Sequence, residues 1–209
     1  MSDTEPADTD ASAPSATRPS REISDPKAMR ALAHPVRLAI LDAMRTEGEL
    51  TATRAAELLD QSPGNMSWHL QTLAKYGFIV EAEGAKGRSR PWRIAPDSRK
   101  FSVNASEEVP GSFDAIEQLV VTVLDRSFDQ LQEWWRQHDD FGDAWFNAAF
   151  VQEHTSFLTA AELAELSRQI DQLLFRYEER SDPARRPPEA LPVHAVSFAH
   201  PVPRAKPAE

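Results

Sequence analysis

Apolar residues recur every three or four positions over several stretches of this chain, the period of a helix with one buried face. Met29, Leu32 and Ala33 predict a short first helix, opened by Asp25-Pro26 as N-cap and first-turn proline. His34-Pro35 interrupts it, and Val36, Leu38, Ile40, Leu41 and Met44 carry a second helix up to Gly48, a residue suited to the C′ position. Glu49-Leu50-Thr51 reads as a short strand, after which Thr51 or Thr53 caps a third helix bearing Ala55, Ala56, Leu58 and Leu59. Ser62-Pro63 then opens a fourth helix, Ser62 as N-cap and Pro63 where a missing N–H costs nothing. At about 100° per residue, Met66, Leu70 and Leu73 share one side of it. Gly64, Asn65, Trp68, Gln71 and Thr72 point the other way, with Ser67 and His69 on the flanks.

The pattern then changes period. Phe78 to Glu83 reads as a strand, residues 84–89 as a loop, and Arg90 to Ile94 as a returning strand, with Pro91 implying an edge or an irregular return. Residues 101–110 read as an irregular linker. Ser112 is placed as the cap of a long helix carrying Phe113, Ile116, Leu119, Val120, Val123, Leu124, Phe128, Leu131, Trp134 and Trp135. The stretch around Val151 and Thr155 alternates partly and is taken as a strand. Thr159 and Glu162 form a capping box for a last helix through Leu163, Leu166, Ile170, Leu173, Leu174 and Tyr177. Val193 to Phe198 reads as one more strand, pairing near Val151. The expected fold class is mainly α (α+β). Its parts are an acidic disordered tail (1–24), a first folded domain (25–100), a linker (101–111), a C-terminal region (112–200) and a loose tail (201–209).

Composition narrows the chemistry. With no cysteine among 209 residues, there is no disulfide frame, thiolate metal site or catalytic thiol to propose. No apolar run approaches the ~18 residues of a membrane span, and the N-terminus has no apolar core, so the expected location is the cytoplasm. The net charge of −10 is uneven. Residues 1–20 carry −3 and residues 101–209 carry −10, whereas residues 21–100 carry +3. A nucleic acid responds to that local surface and not to the chain average.

Two short helices joined by a tight turn, followed by a hairpin, make a helix-turn-helix with a wing. Leu32-Ala33-His34-Pro35-Val36-Arg37-Leu38-Ala39-Ile40-Leu41, Ala55-Ala56-Glu57-Leu58-Leu59, Met66-Ser67-Trp68-His69-Leu70-Gln71-Thr72-Leu73 and Tyr76-Gly77-Phe78-Ile79 occur in that order. This series resembles the winged helix-turn-helix domain of ArsR-like bacterial transcription regulators. The resemblance implies a homodimer whose paired recognition helices enter successive major grooves. It also implies that the long helix supports the dimer, and Ile116, Leu119, Val120, Val123, Leu124 and Leu131 are the residues expected there. The paired cysteines of arsenic-sensing relatives are missing, and His138 with Asp139 and Asp140 is too few for the zinc-sensing pattern. No metal and no cofactor are expected.

Asn65, Ser67, Trp68, His69, Gln71 and Thr72 are the expected base contacts. Asn and Gln amides suit adenine, a ring suits a thymine methyl, and Ser67 and His69 match the Ser-x-His-Leu positions of the resemblance. Thr53 and Ser62, near helix starts, and Lys86, Arg88 and Arg90, on the hairpin, are the expected backbone contacts. Bland alternatives stand beside these: Trp68 shielding a neighbouring helix, Gln71 an idle amide, His69 a structural histidine, the hairpin cations a solvated loop. Trp134, Trp135, Trp145, Phe146 and Phe150 line either a pocket for an apolar effector or a plain core. A Gly-rich phosphate loop, a Gly-x-Ser-x-Gly elbow and a His-Glu-x-x-His pair are all missing, so no enzyme is expected. The sequence therefore points to a dimeric regulator, repressor before activator, with double-stranded DNA as partner; the alternative is a winged helix that docks another protein.

Overall fold

In the computed structural model, residues 21–82, 90–98, 101–103 and 108–202 are described. The acidic arm of residues 1–20, the hairpin tip with Lys86 and Arg88, and residues 203–209 lie outside them.

The helices begin where their capping chemistry is. Asp25 accepts from the Lys27 N–H (2.9 Å) ahead of α1 (Pro26–Leu32). His34 does the same through Nδ1 for the Val36 N–H (3.2 Å) ahead of α2 (Pro35–Glu47). Gly48, at φ 89°, ends α2, and a bridge between Leu50 and Trp92 follows. Of the two threonines eligible to cap α3 (Ala52–Leu59), Thr51 does so, accepting from Arg54 at 3.1 Å. Asp60 in the left-handed region turns the chain, and Ser62 caps α4 (Pro63–Lys75). The antiparallel hairpin β2 (Ile79–Glu81) and β3 (Trp92–Ile94) follows. Met29, Leu32, Ile40, Leu41, Met66 and Leu70 meet in one core, each at most 2 % exposed.

Two expectations fail at the edges of this domain. Residues 21–23, placed in the tail, form β1 (Arg21–Ile23), and residues 101–103, placed in the linker, form β4 (Phe101–Val103); the two pair in parallel. Ile23 is buried, and burial of that one large side chain gives the pairing an apolar anchor that neither triplet has alone.

The long helix, α5 (Ser112–Gln137), is not a separate dimer helix along its whole length. Ser112, expected as its cap, is its buried first residue, and the cap position is Gly111 at φ 74°. Arg30 donates to the Gly111 carbonyl at 3.2 Å, and a Cβ on Gly111 would come within 2.8 Å of that guanidinium. Ala115 and Leu119 are buried with the winged-helix core, and Ile116 and Val123 pack against it. Leu119, expected at a dimer interface, is therefore a core residue of its own protomer, and Ile116 and Val123 are half-buried beside it. Val120, Leu124 and Leu131 lie off that inner stripe. Further along, Asp42 of α2 accepts from Arg126 (2.6 Å) and Gln130 (3.0 Å) of α5, as well as from Arg45 (2.5 Å). The domain boundary expected at 111/112 thus falls inside one packed unit.

Beyond α5 come a 3-10 turn (His138–Phe141), α6 (Asp143–Ala148) and α7 (Ala160–Phe175), the last opened by the expected Thr159/Glu162 capping box. Neither the strand expected near Val151 nor that at Val193–Phe198 forms. Both stretches are irregular and exposed, because partial alternation without a partner edge leaves the backbone hydrogen bonds to water. The chain comes back to α5 where His194 Nε2 meets Ser127 Oγ at 3.1 Å.

Leu119→Ala should cost about 2–5 kcal/mol, the range for emptying a buried leucine site. Urea titrations should give the same loss at every protein concentration, since the cavity lies within one protomer.

Candidate nucleic-acid interface

A helix of thirteen residues, α4, presents one side to the core and one to solvent. Met66, His69, Leu70 and Leu73 are buried. Gly64, Asn65, Trp68, Gln71 and Lys75 are exposed, with Ser67 and Thr72 half-buried at the margins. No carboxylate sits anywhere on α4. Trp68 is 55 % exposed, so about half of its surface faces solvent.

Several of these side chains are already tied to the helix. The Asn65 amide donates to Gln61 Oε1 at 3.1 Å, and Gln71 donates to Ser67 Oγ at 3.5 Å. Thr72 turns its hydroxyl back to the Trp68 carbonyl at 2.9 Å, which draws it away from an outward contact. Ser62 is exposed and capping, Thr53 is exposed in the first turn of α3, and Arg90 pairs with Glu81 across the hairpin at 2.7 Å. The Arg54 cation is flanked by Glu57 and Glu47, which leaves it poorly suited to an anion.

His69 is the correction. At 2 % exposure it lies inside the protein and cannot touch a base. Its Nδ1 accepts from Arg37 Nε at 3.4 Å, which requires an unprotonated Nδ1. Burial, with His34 and the Arg37 cation beside it, pushes its pKa down to about 4. His34, its ring 4.7 Å away, is lowered for the same first reason.

Arg37 is the residue that the periodicity did not single out. It is 8 % exposed, donates to the Ala31 carbonyl as well as to His69, and lies 5.3 Å from the centre of the Trp68 ring. His69 packs edge-on to that ring at 4.7 Å. The indole is thus gripped from below by a cation and an imidazole while its outer part meets solvent. One signal was available: Arg37 occupies the first turn of α2, where the helix dipole disfavours a cation, with no acid in that turn. A charge placed against the dipole is held there by something else.

The aromatic residues at the end of α5 gather in part. Trp134 and Trp135 meet at 4.9 Å, and Phe146 lies 6.3 and 6.1 Å from them, with His138 alongside. Trp145 is half-buried, and Phe150 is 77 % exposed. Among the described residues no group of histidines and carboxylates is arranged to hold a metal, and no helix is long and apolar enough to cross a membrane.

Because the folded His69 titrates below its ordinary 6.5, the unfolded chain binds the extra proton between those values. Stability should be level above pH 6.5, fall as pH drops through that window, and flatten near pH 4. NMR titration should show the His69 ring midpoint well below the ordinary 6.5 of a histidine. Arg37→Gln should cost about 1–3 kcal/mol by stranding the Ala31 carbonyl and His69 Nδ1. It should also shift the indole N–H resonance of Trp68, identified by its loss in Trp68→Phe.

Residues 32–82 match the model of a helix-turn-helix domain family. Among solved structures, HlyU from Vibrio cholerae is 22 % identical over 35 % of this chain and 75 % of its own, with a TM-score of 0.31. A homodimeric winged helix-turn-helix DNA-binding domain from Mycobacterium bovis is 18 % identical, covering 63 % and 85 % (TM-score 0.31). ZitR from Lactococcus lactis is 16 % identical, covering 69 % and 83 % (TM-score 0.32). No curated protein matches the chain. The helices, the left-handed turn at Asp60 and the hairpin show that this chain carries a helix-turn-helix domain followed by a β-hairpin wing, and the family match falls on that domain.

Proposed function

We propose that this chain is a sequence-specific, double-stranded-DNA-binding transcription regulator that acts as a homodimer. The observation that carries this reading is the outward side of α4. It is acid-free, polar and aromatic, and uncovered, on a helix whose other side is locked into the core. Asn65, Trp68 and Gln71 are the base-reading residues, at the spacing that puts them along one groove-facing line. Ser67 and Thr72 border them. Ser62, Thr53 and the hairpin cations Lys86, Arg88 and Arg90 hold the phosphate backbone.

Gly64 adds an independent sign. It lies in the first turn of α4 with ordinary helical dihedrals, and a Cβ built on it meets nothing within 4 Å. Nothing inside the protomer requires glycine there. The open space there leaves room for close passage of an external backbone.

One protomer offers about three to five phosphate contacts, too few for tight binding at cellular salt. A two-fold dimer doubles them and calls for a pseudo-palindromic operator with half-sites about one helical turn apart, ~34 Å. Occupation of such a site excludes other proteins from it, which makes repression the simplest output. The aromatic group at Trp134, Trp135 and Phe146, with Trp145 and Phe150 close in sequence, is where an apolar effector would act.

Affinity for random duplex DNA should fall steeply between 50 and 200 mM salt, by on the order of 10³ for a dimer with about six contacts. A module that docks another protein instead would show no appreciable affinity at either salt. Arg88→Ala with Arg90→Ala should weaken binding equally on all sequences, whereas Gln71→Ala should erase about 1–3 kcal/mol of discrimination at one base position. Gly64→Ala should leave the melting temperature unchanged or raised and still lower DNA affinity; unchanged affinity would remove the close approach.

A further inference from the structure

The inner stripe of α5 is spent on its own core, yet the helix bears a second apolar line. Val121, Leu124, Phe128, Leu131 and Trp135 follow one another at steps of three, four, three and four. None is buried, and Phe128 is 59 % exposed. Helix α7 and the residue just past it repeat the same steps: Leu163, Leu166, Ile170, Leu173 and Tyr177. No residue of α7 is buried, and Tyr177 is 57 % exposed. Steps of three and four are the seam of a coiled coil, in which the side chains of one helix enter the holes of another. The chain therefore holds two seams of equal length, none of whose ten side chains is buried, with Phe146 and His138 against Trp135 at the end of one.

Size argues for what covers them. At about 100 Å² per half-exposed large side chain, the six exposed seam positions bring on the order of 600 Å² of apolar surface per protomer and the four partly buried ones add to it, close to the roughly 800 Å² per partner of a stable complex. Residues 149–159 between α6 and α7 are irregular and exposed throughout, and eleven extended residues reach up to ~35 Å. That is an arm long enough to carry α7 to a neighbouring molecule.

We propose that the occupant is a second copy of this chain, with α7 of each protomer seated on the outer seam of α5 of the other, giving an exchanged four-helix junction. This rests on the homodimer of the preceding section and specifies how it is built. The inner stripe aims α5 from its own winged helix, and the outer seam receives the partner's arm. The spacing of the two recognition helices is then set through α5.

The absence of cysteine makes the test clean. Phe128 and Ile170 are the central positions of the two seams, so they face each other whichever way the helices run. Full-length Phe128→Cys and Ile170→Cys chains, carrying tags of different mass, are mixed, unfolded and refolded together, and treated with a short bismaleimide. The expected product is the mixed covalent dimer, in at least fivefold excess over either self-linked species. A chain carrying both cysteines should link between molecules. Self-linking of Phe128→Cys alone would overturn the exchange and leave a dimer through α5; a link within one molecule would overturn it as well. In parallel, light scattering on Leu166→Asp with Leu173→Asp should show a twofold loss of mass with the winged-helix signature in NMR kept, since neither residue is buried in the protomer. A monomeric mass for the unaltered chain would overturn both this arrangement and the homodimer, without touching whether the winged helix binds DNA.

Discussion

One-sidedness of the fourth helix is the constraint from which the rest follows. Met66, Leu70 and Leu73 enter the core without measurable exposure, and at about 1.5–3 kcal/mol per large apolar side chain that fixes the rotation of the helix about its axis. Once the rotation is fixed, the positions that face outward are no longer free to vary. Trp68 is then held by a second device, the buried Arg37 guanidinium below its ring. The cost of burying that cation is offset by a carbonyl, an unprotonated imidazole and a π-face, all supplied by neighbouring turns of α1 and α4. Orientation and burial are thus two aspects of one packing arrangement.

The fifth helix shows how a single element serves two neighbours. Its first half completes the winged-helix core through Ala115 and Leu119, and its middle is clamped to α2 by Asp42. The clamp and the shared core tie α5 to the same packed unit that holds α4. The far end of α5 carries Trp134 and Trp135 on the same unbroken helix. The separation of charge has the same logic. Residues 101–209 carry a net −10, whereas residues 21–100, which include α4, carry +3.

Much of the fold was legible in the sequence for local reasons. Caps at Asp25, Ser62 and Thr159 act within three residues, so residue type and spacing suffice to place them, whereas Thr51 and Thr53 were equally eligible for α3 and the cap at His34 was not marked by residue type. The pairing of residues 21–23 with 101–103 was not legible, because neither triplet carries a strand signal and their partners are some eighty residues apart. The apparent strands at Val151 and Val193 failed for the converse reason: a local alternation found no edge to join.

By itself the sequence determined the helices of the helix-turn-helix domain and which side of α4 is apolar, since both depend on a period and on residues within one turn. Tertiary structure alone decided that His69 lies inside while Trp68 lies outside. Their angular positions on the helix differ by only one residue step, and the depth of burial depends on what packs alongside. It alone also decided that Leu119 belongs to the core and not to an interface. A stripe on a long helix shows that something must cover it; only the neighbours in space say what does.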